Sequence, residues 1–104
     1  MLLPQLIEEK QVKALTDWYP RYPDGTVRVS LTCFIGPHPA HSRHATREQK
    51  EQKPYWRVMA WGYDDSGCEK HFTDYTTAKT VYDALDEPLP ALWTLEKEWG
   101  FTDG

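Results

Sequence analysis

The chain has 104 residues, which is enough for one domain with a single core and too few for separate cofactor and substrate domains. Its 16 acidic and 12 basic side chains give a formal net charge of −4, which argues against a protein that coats itself with nucleic acid. Nowhere do about 18 apolar residues run together, so we expect no membrane-spanning helix and a soluble, cytoplasmic protein.

The first predicted element is an amphipathic helix over about residues 3–18, where apolar side chains recur at roughly helical spacing. Pro20 and Pro23 end it. A strand then runs from Thr26 to Ile35, because alternation of β-branched and apolar residues is typical of a half-buried strand. The next segment, about residues 37–54, contains almost nothing apolar and is predicted to be a polar insertion loop within the single domain 1–104.

A β-hairpin follows the insertion. Residues 55–63 and 68–72 alternate as strands, and the turn residues 64–67 join them. Asp74 or Thr76 caps the next helix. A last short helix covers residues 92–99 and ends at Gly100. The predicted fold class is α+β, with the order α-β-β-β-α-α and a three-stranded antiparallel sheet that carries its helices on one face.

Charge is distributed unevenly along the chain. Residues 58–104 hold 10 acidic and 3 basic side chains, and acidic groups beside aromatic anchors are typical of surfaces that bind basic partners. We therefore predict a protein-binding regulator, inhibitor or adaptor, of the kind that phages and mobile elements encode to block a basic nucleic-acid-binding surface. The predicted partner-binding residues are Glu87, Trp93, Glu96, Glu98, Phe101, Asp64 and Asp65.

A nucleic-acid-binding accessory domain is the alternative. Basic side chains pair with phosphates and aromatic rings stack on bases, and a basic segment here adjoins Tyr55 and Trp56. Its residues are Arg43, Arg47, Lys50, Lys53 and Arg57. The predicted α-β-β-β-α order is similar to that of double-stranded-RNA-binding domains, although the helix at residues 76–79 lacks the lysine-rich start of that family.

The third hypothesis is a metal-binding protein. His38, His41 and His44 are spaced three residues apart, and imidazole is the commonest metal ligand. The prolines around them oppose a regular helix, and no acidic residue lies between them, so a solvated histidine-rich loop accounts for the same pattern.

The chain shows no pattern typical of an active site. It has no glycine-rich phosphate loop, and Cys68 and His71 lie three residues apart on a strand, which directs them to opposite faces. We therefore expect no enzyme activity and no cofactor.

Cys33 and Cys68 fall in separate strands and are expected to be free thiols. An unpaired sheet edge leaves both a monomer and a homodimer open.

Overall fold

The structure is a computed structural model that describes residues 4–14, 25–35, 54–62 and 67–103. An antiparallel sheet packs there against two helices. The strands lie in the order of the chain, and each neighbouring pair is antiparallel. They are β1 (Gln5–Lys13), β2 (Thr26–Ile35), β3 (Pro54–Trp61), β4 (Gly67–Phe72) and the two-residue β5 (Thr102–Asp103), and the helices are α1 (Tyr75–Ala84) and α2 (Leu92–Glu98).

The N-terminal segment is a strand, so the predicted N-terminal helix and three-stranded sheet are wrong. The main elements follow the order β-β-β-β-α-α, and the short β5 comes last. Of the apolar residues in the helical pattern that the structure describes, Val12 is 1% exposed, whereas Leu6 and Ile7 are 55% and 38% exposed. A helix would have buried all three on one side. The similarity in element order to double-stranded-RNA-binding domains is lost with that helix, while the α+β class remains.

Charged side chains of β1 explain why a strand suits this segment. Lys10 Nζ donates a hydrogen bond to the Tyr82 carbonyl oxygen at 2.9 Å and lies 4.4 Å from the Tyr82 ring centre. Glu8 accepts a hydrogen bond from Lys79 of the same helix. Because side chains alternate across a strand, Glu8, Lys10 and Val12 all point toward α1. Glu8 and Lys10, which a helical pattern would place on the outer side of a helix, instead hold β1 against α1.

The strand predictions further along the chain are confirmed. β2 covers the predicted residues 26–35, and the hairpin strands β3 and β4 begin or end within two residues of their predicted bounds. The polar insertion expected at about residues 37–54 lies, apart from Pro54, outside the described residues. Cys33 is half-buried, Cys68 is buried, and no disulfide joins them.

The core lies between one face of the sheet and the two helices. Side chains of β2 and β3 line it from the sheet, and α1, α2 and the chain on either side of α2 cover them. Leu31, Val58, Ala78 and Leu95 are fully buried at its centre. Both described helices therefore lie on the same face of the sheet, and we call the other side the opposite face.

Helix α1 begins at a well-formed cap. Asp74 is the N-cap residue, and its Oδ2 accepts hydrogen bonds from both the backbone N–H and the hydroxyl of Thr77, each at 2.7 Å. These bonds favour the ionised form, so they lower the pKa of the Asp74 carboxyl below its ordinary value of 3.8.

The cap predicts a pH-dependent contribution to stability. A carboxyl whose pKa falls on folding stabilises the fold above its ordinary pKa of 3.8 and loses this contribution as the pH falls through the folded value. We expect Asp74→Ala to lower Tm by about 5 °C at neutral pH. Asp74→Asn retains a capping oxygen, so its Tm should fall less than that of the wild type when both are acidified below pH of about 4. An equal decrease in Tm of the two proteins on acidification would contradict a stabilising contribution from the ionised Asp74 carboxylate.

Candidate protein-binding surface

The outer side of the helical layer is acidic. Residues 74–98 include six acidic and two basic side chains, and all six acidic residues are exposed. One of the two basic residues, Lys79, is held by Glu8 and lies 3.0 Å from an Asp83 carboxylate oxygen. The hydrogen bonds from Lys79 to these carboxylates raise the pKa of its ammonium group. Its charge therefore offsets Glu8 and Asp83 and leaves the rest of the layer negative.

Trp93 is the most exposed of the large hydrophobic side chains that the structure describes, at 57%. It lies on α2, whose Leu95 is fully buried. Two residues along a helix correspond to a rotation of about 200°, so Trp93 points away from the core. Glu96 and Lys97 follow at three and four positions and share its side of the helix. Both are exposed.

The loop between the helices carries two further carboxylates in fixed positions. Glu87 Oε1 accepts a hydrogen bond from the Lys13 backbone N–H at 3.0 Å, and Asp86 Oδ1 accepts one from the Glu87 backbone N–H at 2.8 Å. The Leu89 N–H donates to the Lys13 carbonyl at 3.0 Å, and Leu89 itself is buried. The end of β1 therefore holds this loop in place.

We call the resulting set the acidic helix surface. It combines one large aromatic side chain with carboxylates from α2 and from the loop that precedes it. Its members are Asp86, Glu87, Trp93, Glu96 and Glu98. Four of them were predicted from the sequence as partner-binding residues, and Asp86 joins them because the fold keeps it exposed beside Glu87.

Phe101 was predicted for the same surface, but it lies in the core and is 3% exposed. Gly100 precedes it with φ of 77°, a left-handed conformation that turns the chain back toward the sheet. The Phe101 N–H then donates to the Leu95 carbonyl at 3.0 Å. Phe101 therefore contributes no area to the acidic helix surface. Asp64 and Asp65, the other two predicted partner-binding residues, lie outside the described residues.

Arg57 is the one residue of the alternative nucleic-acid site that the structure describes, and it lies on the opposite face of the sheet. Its guanidinium carbon is 4.9 Å from the centre of the Phe34 ring, and its Nε is 3.8 Å from Glu69 Oε2. That carboxylate oxygen is also 2.9 Å from His71 Nε2. Neighbouring strands thus surround Arg57 with an aromatic ring and a carboxylate. Arg43, Arg47, Lys50 and Lys53 lie outside the described residues.

Aromatic rings complete this cross-strand cluster. Tyr55 stacks on Phe34 with 5.1 Å between ring centres and 8° between ring planes, and it meets the His71 ring edge-on at 5.6 Å. Burial raises the pKa of the Tyr55 hydroxyl, and the nearby Arg57 charge partly opposes this effect. Sequence alternation placed Tyr55 and Arg57 on one face, but the partners Phe34, Glu69 and His71 depend on strand register, which the sequence does not show.

The third predicted site, the histidines 38, 41 and 44, lies outside the described residues. Within residues 4–14, 25–35, 54–62 and 67–103, no three histidine, cysteine or acidic side chains are close enough to share a metal ion. In the same part of the chain, neither helix has the length and apolar composition needed to cross a bilayer. Comparisons with protein-family models, with curated proteins and with solved structures give no match to this chain.

Proposed function

We propose that this protein binds a partner protein with a basic surface through the acidic helix surface, and that it acts as a regulator, inhibitor or adaptor by covering that surface. The observation that carries the proposal is the 57% exposure of Trp93 among carboxylates that are all exposed. Tryptophan is among the residues most enriched at the energetic centres of protein interfaces.

The two kinds of residue have separate roles in the proposed complex. The indole of Trp93 is desolvated against the partner and supplies most of the affinity. The carboxylates attract a basic partner, orient it and pair with its arginine or lysine side chains. Glu87 is already held by the Lys13 backbone N–H, so this part of the surface loses little freedom on binding.

We expect the protein to compete with nucleic acid for its partner, because carboxylates and phosphates pair with the same basic side chains. A protein surface that holds nucleic acid presents arginine and lysine side chains to phosphates. Carboxylates of the acidic helix surface would occupy the same side chains, so the mechanism we propose is occlusion of a nucleic-acid-binding site.

The proposal is tested by affinity purification from a lysate of the native host after nuclease treatment, with wild type and variants side by side. We expect one stoichiometric protein to co-purify with the wild type. Glu96→Lys with Glu98→Lys, and separately Trp93→Ala, should each raise its dissociation constant about tenfold or more. The purified wild type should also displace a labelled oligonucleotide from that partner.

A matched control separates local from general charge effects. Glu9 is exposed on β1, and its register opposite Ser30 places it on the opposite face of the sheet. Glu9→Lys should therefore leave the dissociation constant within about twofold of the wild-type value, whereas the single variant Glu98→Lys should raise it. Equal effects of these two substitutions, or the absence of a stoichiometric protein partner after nuclease treatment, would show that the acidic helix surface is not the docking site.

A further inference from the structure

We infer that the outer edge of β1, the side that faces away from β2, binds an extended segment of another protein as one more antiparallel strand. In that complex a lysine or arginine of the added segment lies opposite Glu9. The inference concerns a different part of the molecule from the acidic helix surface and does not depend on the proposed function. It starts from the position of β1 at one end of the sheet.

The protein itself closes one end of this outer edge. The Lys13 backbone N–H donates to Glu87 Oε1 at 3.0 Å, and the Lys13 carbonyl accepts from the Leu89 N–H at 3.0 Å. The backbone groups of Lys13 therefore point away from β2. Successive residues of a strand direct these groups to alternate sides, so those of Glu9 and Gln11 point outward as well. No strand of the described part of the chain pairs with them on that side.

Side chains along the open stretch, residues 5–11, are accessible. Leu6 and Ile7 are 55% and 38% exposed, and Glu9 is exposed as well. Unpaired backbone groups on an edge strand are a template for pairing with another chain, and the neighbouring side chains supply the specificity. Glu8 and Lys10 contact α1, so Glu9 is the remaining charged side chain of the stretch.

Charge opposes a second copy of this chain as the occupant of the edge. In a two-fold antiparallel pair, the residue on the symmetry axis faces its own copy. The axis must lie at residue 8, 9 or 10 if most of the open stretch is to pair, and these residues are Glu8, Glu9 and Lys10. Like charges directly opposite each other destabilise a sheet, whereas opposite charges stabilise it. A strand with a basic residue opposite Glu9 is therefore favoured over self-pairing.

The neighbour of Glu9 on the same face specifies a second residue of the added strand. Leu6 pairs with Thr32 and Glu9 with Ser30, because the register shifts between Leu6 and Glu8. Residues two apart on β2 share a face, so Leu6 lies beside Glu9 on the opposite face of the sheet. An apolar residue two positions after the basic one would cover Leu6 and remove its exposed area from water.

Two heptapeptides with blocked ends test the inference. Both have threonine at the odd positions and valine at the second and sixth, and they differ only in lysine or glutamate at the fourth. Binding to the isotopically labelled full chain is followed by NMR. We expect the lysine peptide to bind the wild type about two- to fivefold more tightly and to slow hydrogen exchange of the outward Glu9 and Gln11 N–H groups. Glu9→Lys should reverse the preference.

Gln11→Pro tests the backbone pairing. Proline has no N–H to donate and is tolerated on edge strands, so this variant should keep the wild-type circular dichroism spectrum and lose binding of both peptides. If it unfolds, the reversal in Glu9→Lys still decides. Glu96→Lys with Glu98→Lys is the control for general attraction of a cation, and it should leave the preference unchanged.

Three outcomes would overturn the inference. The first is equal binding of the two peptides by the wild type, and the second is a preference for the lysine peptide that survives in Glu9→Lys. The third is self-association of the wild type that protects the Glu9 and Gln11 N–H groups, which would assign the edge to a second copy. None of these outcomes affects the acidic helix surface, so the proposed function stands or fails separately.

Discussion

Replacing Leu31 with alanine is expected to destabilise the fold by about 2–5 kcal/mol. Leu31 is fully buried in β2, and in the pairing register it lies between Glu8 of β1 and Val58 of β3. Its side chain belongs to the core between the sheet and the helices. Truncation removes apolar contacts and leaves a cavity that the surrounding strands cannot close fully, which is why such losses are large.

Urea unfolding of the wild type and of Leu31→Ala measures this effect, with Leu6→Ala as the matched control. Leu6 is 55% exposed on the adjacent strand, so the same truncation there should cost less than about 0.5 kcal/mol. A loss for Leu31→Ala as small as that for Leu6→Ala would contradict the assignment of the core to this face. Because small domains have only about 5–15 kcal/mol of stability, we expect Leu31→Ala to unfold well below the wild-type urea midpoint.

The central strands were predictable from the sequence because the signals that define them come from neighbouring residues. In β2 the apolar residues Val27, Val29 and Leu31 are fully buried and alternate with the polar residues Arg28 and Ser30, of which Ser30 is also buried. The alternation of residue type in the sequence therefore reports the pleat. The cap at Asp74 and the helix end before Gly100 were also predicted from single residues, and both are observed. Such signals depend on a few neighbouring residues and require no knowledge of long-range contacts.

The first strand was missed because its sequence pattern is ambiguous. Leu6, Ile7 and Val12 fit a helical spacing, and the charges between them resemble the polar side of a helix. The strand forms because β2 offers a pairing edge and α1 offers partners for Glu8 and Lys10. The contacts with α1 join residues about 70 positions apart, which no short window of sequence can reveal.

The sequence predicted that the candidate surface is acidic and aromatic, but it did not predict correctly which residues belong to it. An acidic C-terminal region with exposed aromatic side chains was expected, and Trp93, Glu96 and Glu98 are exposed there. Phe101 has the same composition signal, yet the turn before it places its ring in the core. Lys79 contacts Glu8 and Asp83, and nothing in the local sequence indicates the contact with Glu8. Both differences arise from tertiary contacts.

Replacing Gly67 with alanine is expected to cost about 3 kcal/mol or more, because extra atoms in a tight contact force the backbone to move. Gly67 begins β4 opposite Trp61 of β3. A Cβ atom there would lie 2.1 Å from the Ala60 carbonyl oxygen and 2.7 and 2.8 Å from Cα and Cβ of Trp61. These atoms belong to the backbone or are fixed directly to it, so no side-chain rotation can relieve the overlap. The two strands would have to separate beside the buried residue Ala60.

Gly100→Ala is the informative comparison, measured by the same urea titration. Gly100 has φ of 77°, and the atom nearest to a Cβ added there would be Lys70 Nζ, at the flexible end of its side chain, at 3.2 Å. Alanine at this position therefore incurs mainly backbone strain of about 1–2 kcal/mol. The sequence alone gives Gly67 the role of a turn residue with positive φ, but among the described glycines only Gly25 and Gly100 adopt that conformation. If Gly67→Ala proves no more costly than Gly100→Ala, the close approach of β3 and β4 is wrong. If it proves more costly, glycine is required at residue 67 by contact between strands and not by the turn that precedes it.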